Sequence, residues 1–321
     1  MNNIRRWLYR NRWFNFGVHF VRGLKRQVRW LGLSATERQR DTVTLSTLAN
    51  HRFGNQFFQY IFLRTYAEDR GLRYETSPWV GEKLFGTRVP HLSRKLPEFR
   101  VKADDMGLSS EPRNVDFRGY FQFHTSTFAA HKEQIRSWCQ PVGEFAEKSH
   151  EAMKKLKARG TTLVGLHLRR GDFGYGYFFI APNSWYKNWL ASFWSDLENP
   201  VLYIASDLPE YVRSDFSGYD PVTAGDLGIT LPPGFDYYLD YYLLTQCHHL
   251  AISNSTFSVV AAMLNEKAVT TVRPVLQEQR LVPFDPWSTY PMLRDAVVKD
   301  YPDVWGTTWD DYDYPGRPGG E

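Results

Sequence analysis

The sequence predicts an α/β protein of two layered halves, each with a parallel sheet covered by helices. Three observations support this prediction. Segments typical of strands alternate with segments typical of helices along most of the chain. The runs at 161–168 and 200–206 are short and almost wholly apolar, as expected of parallel strands buried on both faces. The length of 321 residues is sufficient for two domains of about 150 residues each.

The first half begins with a predicted strand, helix and strand. Residues 41–48 alternate and are rich in β-branched residues, which indicates a strand. Gly54 and Asn55 mark a turn and the start of a helix, and Gly71 is suited to end it. The other elements predicted in this half are strands at 72–77 and 115–123 and helices at 129–139 and 145–160.

The second half repeats the alternation, which predicts a doubly wound parallel sheet. Its predicted strands are 161–168, 200–206, 251–254 and 268–274, and its predicted helices are 183–197, 234–250 and 255–267. We therefore divide the chain into a basic amphipathic arm (1–40), a first Rossmann-like domain (41–158), a second (159–300) and an acidic aromatic tail (301–321).

Charge is distributed unevenly along the chain. The formal net charge is +4, but the first 40 residues carry ten Lys or Arg and a single acid, so the remaining residues are net acidic. A basic body that binds nucleic acid is therefore disfavoured. The two cysteines, Cys139 and Cys247, lie far apart and lack metal-ligand spacing, which disfavours a disulfide framework or a structural zinc and fits a cytoplasmic location.

The arm has the pattern of a basic amphipathic helix. Within residues 7–31, apolar side chains recur every three or four positions and arginines fall on another side. The sequence shows no apolar run of about 18 residues and no signal-peptide core, so we expect neither a transmembrane helix nor secretion. Two interpretations are equally favoured: the arm lies on an anionic membrane surface at the cytoplasmic face, or it packs on the protein itself. A basic arm that binds nucleic acid is a third, less favoured interpretation.

Polar clusters follow three of the predicted strands. Ligands of open parallel sheets bind beyond the carboxyl ends of the strands. A helix start offers free N–H groups, and arginine offers a planar fork, so together they suit a diphosphate without a metal. Structural ion pairs and ordinary helix caps are the alternatives. The clusters are Arg169, Arg170 and Asp172; Ser206 and Asp207; and Asn254, Ser255 and Thr256.

Other chemistries have little support in the sequence. It contains no GxxxxGK[ST], no GxGxxG after a strand and no GxSxG, which disfavours a P-loop kinase, a dinucleotide-binding site of that type and an α/β-hydrolase. The adjacent histidines His248 and His249 and the acidic "DDYD" in the tail lack the context of a metal site.

Four segments, in the right order, resemble the α-1,2-fucosyltransferases of glycosyltransferase family 11. "HLRRGD" (167–172) resembles the HxRRxD motif of enzymes that use GDP-fucose. "RFGNQFFQY" (52–60), "RGYFQ" (118–122) and "ISNSTFSVVAAML" (252–264) resemble three further segments of that family. The RFGNQ form is also similar to protein O-fucosyltransferases of the same superfamily.

The resemblance implies a GT-B fold, in which two Rossmann-like domains with parallel sheets face a cleft. It also implies that fucose passes from GDP-fucose to a galactoside hydroxyl of a glycan, with inversion, an α-1,2 linkage and no metal or other cofactor. The alternatives are a related GDP-sugar transferase with another acceptor, including a polypeptide, and a catalytically silent nucleotide- or glycan-binding protein.

The motif positions supply the candidate site residues. Arg169 matches the first motif arginine and is expected to stabilise the departing diphosphate. This role also fits the physics, because negative charge builds on the diphosphate as the glycosidic bond breaks. Asp172 is either the general base or a residue that orients the arginines. The residues expected to bind GDP-fucose are Asn55, His167, Arg169, Arg170, Asp207, Ser255, Thr256, Phe257 and Ser258.

Two departures from the family segments concern the acceptor side. Val259 and Val260 stand where the family has two tryptophans, and 51–53 replaces Gly-Gly-Leu. These differences bear on the acceptor and the linkage more than on the donor.

Overall fold

A computed structural model of the chain describes residues 41–101, 110–174 and 178–294. The strands are β1 (Thr42–Leu45), β2 (Arg73–Thr76), β3 (Glu98–Arg100), β4 (Val115–Arg118), β5 (Thr162–Leu168), β6 (Pro200–Ser206), β7 (His249–Ala251), β8 (Thr270–Val275) and β9 (Arg280–Pro283). The α-helices are α1 (Phe53–Asp69), α2 (Gly81–Leu84), α3 (Lys132–Trp138), α4 (Gly143–Lys157), α5 (Asn183–Ala191), α6 (Pro209–Val212), α7 (Tyr238–Leu244) and α8 (Thr256–Leu264). Short 3₁₀ helices span Leu48–Asn50, Thr125–His131, Trp194–Asp196, Arg213–Tyr219 and Gly225–Leu227.

Each half has its own sheet. The first has the order β2-β1-β4-β3, and all its pairs are parallel. The second has the order β6-β5-β7-β8-β9, and it is parallel except for β9, which runs antiparallel to β8. This confirms the predicted α/β class with two mostly parallel sheets.

The strand orders place a switch point in each sheet. In the second half the chain continues from β5 to β6 on one side and returns to β7 on the other, which is the flavodoxin-like order. In the first half, β1 lies between β2 and β4 in the same way. Because ligands bind outside the carboxyl ends of strands at such points, the loops after β1, β4, β5 and β7 are where a site is expected.

Both faces of the second sheet are covered. Leu163 belongs to a large apolar core that extends into the first half, whereas Val164, Leu166 and Leu168 of the same strand pack into a second cluster on the other face. This two-sided burial explains why β5 is apolar at almost every position.

Helix α4 crosses between the halves. By sequence it precedes the division predicted after residue 158, yet it packs on the second half. The Ser149 hydroxyl lies 2.8 Å from the Tyr238 hydroxyl, and Lys155 donates to the Leu227 carbonyl at 2.8 Å.

Several predicted boundaries are wrong. The predicted helix 234–250 is limited to Tyr238–Leu244, because the chain turns at residues 245–248 and His249 enters strand β7. The strand predicted at 251–254 in fact begins two residues earlier, at His249, and Ile252–Asn254 form the connection to α8. Strand β9 was not predicted, since its four residues carry little pattern.

The arm (1–40), including residues 7–31 for which membrane binding is one prediction, and the tail (301–321) lie outside the described residues. Among the helices that are described, none is long and apolar enough to cross a membrane. The cysteines Cys139 and Cys247 are both buried and carry free thiols.

Candidate active site

A cleft of about 920 Å³ lies between the two sheets at the carboxyl ends of their strands. Its walls come from the loops after β1, β4, β5, β6 and β7, so both switch points open onto it. The sequence-predicted site residues that line it are Asn55, His167, Arg169, Asp172, Asp207, Ser255, Thr256 and Phe257.

The starts of helices α1 and α8 meet at this cleft. A Cβ placed on Gly54 would lie 2.7 Å from the Thr256 hydroxyl and 2.8 Å from the Phe257 nitrogen, so only glycine permits this approach. Asn55 joins the same contact: its Oδ1 accepts hydrogen bonds from Gln122 at 2.8 Å and from the Thr256 hydroxyl at 3.2 Å. Two helix N-termini, with their free N–H groups and partial positive charge, therefore converge on one point.

Arg169 is held beside those helix starts by two carboxylates. Its Nε donates to Asp172 at 2.9 Å, and its Nη1 lies 3.2 Å from Asp207 Oδ2. Asp207 also accepts a hydrogen bond from the Arg170 backbone N–H at 2.8 Å, which fixes the loop. Gly171 allows this packing, because a Cβ there would lie 2.7 Å from the Asp207 carboxylate.

Asp172 bridges arginines from the two halves. Arg52, which precedes α1, donates to Asp172 Oδ2 at 2.6 Å, while Arg169 holds Oδ1. Partial burial works to raise the pKa of Asp172, but the charges and hydrogen bonds of Arg169 and Arg52 outweigh it, so the pKa lies below its usual value. A carboxylate in this state accepts a proton poorly.

His167 is buried at the base of the cleft, and its Nδ1 lies 2.7 Å from the Ser253 hydroxyl. Burial, with the nearby charges of Arg169 and Arg170, lowers the pKa of His167 to about 3. Its imidazole is therefore neutral at physiological pH and offers a hydrogen bond rather than a charge.

Two candidates have side chains that do not line the cleft. The Arg170 guanidinium is fully buried and donates to the carbonyls of Arg169 at 3.0 Å and Ala181 at 3.2 Å, and also to Asn183 Oδ1. The Ser258 hydroxyl donates back to the carbonyls of Ser253 and Ser255 within its own helix start. The expectation that these side chains contact GDP-fucose does not fit this placement. Arg170 instead ties the loop after β5 to the start of α5.

Asn254, part of the third polar cluster, also uses its side chain to hold the fold together. It is fully buried, and its Oδ1 accepts hydrogen bonds from Arg273 and from the Leu293 N–H, both at 2.9 Å. It thereby fixes the segment near residue 293 against the start of α8.

Sequence reasoning missed Asp240, a carboxylate in the cleft wall on helix α7. Its Oδ1 accepts a hydrogen bond from the Tyr203 hydroxyl. Burial raises the pKa of Asp240 to about 7, with Tyr203 opposing the shift and Asp207 adding to it. The available signal was a single acid within the apolar run "YYLDYYLL" (237–244).

The cleft presents cations and backbone N–H groups that can bind an anion. It also presents carboxylates that can accept hydrogen bonds from a ligand. Arg52, Arg169 and Arg294 line the cleft together with the two helix starts. Within the described residues, no cluster of three or more His, Cys, Asp or Glu side chains is placed to hold a metal ion.

Comparisons with known proteins identify the family. The sequence profile of glycosyl transferase family 11 matches residues 94–281. Galactoside alpha-(1,2)-fucosyltransferase 1 of Saimiri boliviensis boliviensis is 30% identical over 241 residues, which covers 66% of this chain and 63% of that protein. The protein of the same name from Alouatta caraya is 30% identical over 240 residues with the same coverage. The chain thus spans slightly less than two thirds of these relatives.

Solved structures show the same fold. The NodZ alpha-1,6-fucosyltransferase co-crystallized with GDP superposes with a TM-score of 0.52 at 12% identity, covering 77% of this chain and 99% of NodZ. A mutant of Arabidopsis thaliana FUT1 in complex with GDP superposes with a TM-score of 0.52 at 11% identity, covering 82% and 78% of the two chains. The expected GT-B fold is thereby confirmed, and the chain belongs to glycosyl transferase family 11.

Proposed function

We propose that this protein transfers fucose from GDP-fucose to a galactoside hydroxyl of a glycan, with inversion at the sugar and without a metal ion. Membership of family 11 supports the reaction class. The observation that carries the proposal is the convergence of Arg169 and two helix N-termini on one interdomain cleft.

The diphosphate is proposed to bind between Arg169, Arg52 and the start of α8. In the free protein both guanidinium groups are occupied by Asp172. Phosphate oxygens accept the same charge-assisted hydrogen bonds, so the diphosphate of GDP-fucose replaces Asp172 as the partner of the two guanidinium groups. Fixed cations and helix dipoles then provide the positive charge that a metal supplies in other transferases.

Arg169 is proposed to act on the leaving group. As the bond between fucose C1 and the β-phosphate oxygen breaks, negative charge grows on that oxygen. A guanidinium already held in place by Asp207 stabilises this charge without having to reorganise. The acceptor hydroxyl attacks C1 from the opposite face, which inverts the configuration.

For Asp172 we favour the orienting role over that of general base. Its lowered pKa and its two arginine partners make it a weak proton acceptor, and its contacts hold Arg169 and Arg52 at the cleft until the diphosphate takes them over.

Asp240 is proposed to read the nucleobase. A carboxylate has only acceptor atoms, and guanine presents two adjacent donors, N1–H and the 2-amino group. Uracil lacks this pair, and adenine presents an acceptor at N1, so a carboxylate here favours GDP over UDP or ADP.

The α-1,2 linkage is carried over from the relatives, whose name is galactoside alpha-(1,2)-fucosyltransferase 1. The test is incubation of the full chain with GDP-fucose and methyl β-galactoside, with and without EDTA. We expect GDP release in both conditions and an α-fucosyl group on O2 by NMR. Binding of GDP-fucose without transfer to any galactoside would instead favour a silent binding protein.

Arg169→Ala should lower turnover by roughly 10²-fold, because it removes stabilisation of the developing diphosphate charge. Arg280→Ala is the matched control, since Arg280 is exposed on β9 and lies outside this cleft. Equal turnover in the two variants would refute the role assigned to Arg169.

A further inference from the structure

Tyr120 presents an exposed ring on the first-half wall of the cleft. Its exposure is 45%, and it follows β4, at the switch point of the first sheet. The large hydrophobic side chains with comparable exposure among the described residues are Tyr120, Val142, Tyr211, Val269 and Tyr290, and of these only Tyr120 lines the cleft. An exposed aromatic ring within a polar cleft indicates a surface that a ligand covers.

Backbone strain holds this ring in place. The next residue, Phe121, has a φ of +52°, which is unfavourable for a bulky side chain. It is kept there because its ring stacks on Phe62 with centroids 4.0 Å apart and is buried among further aromatics. Turning Phe121 inward leaves Tyr120 facing the cleft, and strain of this kind is typical of functional sites.

His51 completes the surface. Its ring meets Tyr120 edge-on, with centroids 5.1 Å apart and planes at 62°. In the described part of the chain, no side chain or backbone group forms a hydrogen bond with its ring nitrogens. Burial lowers the pKa of His51, so the imidazole is neutral at physiological pH and one nitrogen can accept a hydrogen bond.

We propose that Tyr120 and His51 form the subsite for the acceptor sugar: the Tyr120 ring covers the apolar C–H face of a galactopyranose, and a His51 nitrogen accepts a hydrogen bond from one of its hydroxyls. This inference rests on the proposed function. A β-galactoside suits the subsite because its H3, H4 and H5 form one continuous apolar face, while its hydroxyls project from the edge.

The position relative to the leaving group supports this assignment. Arg52 directly follows His51 and contacts Asp172, which holds Arg169. A sugar on Tyr120 therefore lies beside Arg52 and on the wall opposite Arg169. The sequence agrees, because His51 lies in the segment where this chain departs from the family.

Kinetics with the full chain, GDP-fucose and methyl β-galactoside test the proposal. Tyr120→Ala should raise the acceptor KM by about tenfold, which corresponds to about 1.4 kcal/mol. The KM for GDP-fucose and the slow hydrolysis without acceptor should stay within about twofold of wild type, since Tyr120 makes no donor contact in this scheme. Tyr120→Phe should retain the acceptor KM.

Tyr211→Ala is the matched control, because Tyr211 is 38% exposed on helix α6 and lies outside the cleft. An acceptor KM for Tyr120→Ala within twofold of wild type would overturn the proposal. So would an equal rise in the control.

A second measurement does not depend on turnover. Saturation-transfer difference NMR of methyl β-galactoside, with GDP present, should show the strongest transfer to H3, H4 and H5 in the wild type. That transfer should be lost in Tyr120→Ala and weakened in His51→Ala. Absence of transfer in the wild type, or its persistence in Tyr120→Ala, contradicts the subsite. Failure of the wild type to release GDP with any galactoside contradicts only the proposed function.

Discussion

Gly54→Ala tests whether the two helix starts must touch. The added Cβ would lie 2.7–2.9 Å from the Thr256 hydroxyl, the Thr256 carbonyl carbon and the Phe257 nitrogen. To restore an ordinary contact of 3.4 Å, helices α1 and α8 must separate by about 0.5–0.7 Å. Two of the three atoms are backbone, so no side-chain rotation relieves the clash.

Overpacking of this kind costs about 1–3 kcal/mol, while alanine gains up to about 1 kcal/mol over glycine in a helix. We expect a modest loss of stability, on the order of 1–2 kcal/mol. The expected effect on turnover is larger than the effect on stability. A displacement of catalytic groups by about 1 Å lowers the rate roughly 10²-fold, so a helix shift of about half that size predicts about tenfold slower turnover.

The assay is steady-state turnover with thermal unfolding of the same preparations. Gly218→Ala is the control, because a Cβ there meets nothing within 4 Å. Wild-type turnover and stability in Gly54→Ala would refute the argument that the helix starts form a contact required by the site.

Three further predictions follow from individual groups. Both oxygens of Asp240 accept hydrogen bonds from guanine only when the carboxyl is ionised, and its pKa is about 7, so the affinity of the wild type for GDP should rise between pH 6 and pH 8. In Asp240→Asn the affinity should not change with pH, and the preference for GDP over IDP should be lost. Calorimetry measures both affinities, and a wild-type affinity that does not change with pH would exclude this role. Arg170→Ala should lower the free energy of unfolding by about 1–3 kcal/mol in a denaturant titration, because the buried Oδ1 of Asn183 loses its hydrogen-bond donor, and a loss well below about 1 kcal/mol would contradict a structural role. The full chain should float with anionic vesicles while a chain starting at Asp41 stays in the soluble fraction, and equal behaviour of the two would rule out membrane binding by residues 1–40.

The sequence predicted that residues at several strand ends lie together, as they do at the candidate site, because strand ends are visible in it. An apolar run followed by Arg169 or Asp207 marks the carboxyl end of a buried strand, and parallel strands bring such ends together. Gly54 and Asn55, in the first turn of α1, were recognised as a helix start. Their contact with Thr256 was not predictable, since it depends on how the two halves pack.

Residues within one motif could not be told apart from sequence alone. Arg169 and Arg170 are adjacent and identical in type, yet one guanidinium lies in the cleft and the other is fully buried. Asp240 was hidden for a related reason: it lies among apolar residues of a helix, and only the packing of that helix brings its carboxylate to the cleft.

The most direct test of the central claim compares GDP and GMP. If Arg169 binds the terminal phosphate, wild-type protein should bind GDP at least about tenfold more tightly than GMP. In Arg169→Ala this preference should fall at least about threefold, because only Arg52 and the start of α8 still contact the diphosphate. Calorimetric titration of both nucleotides into both proteins measures this difference. An Arg169→Ala variant that keeps the wild-type ratio of GDP to GMP affinity would show that the diphosphate binds elsewhere.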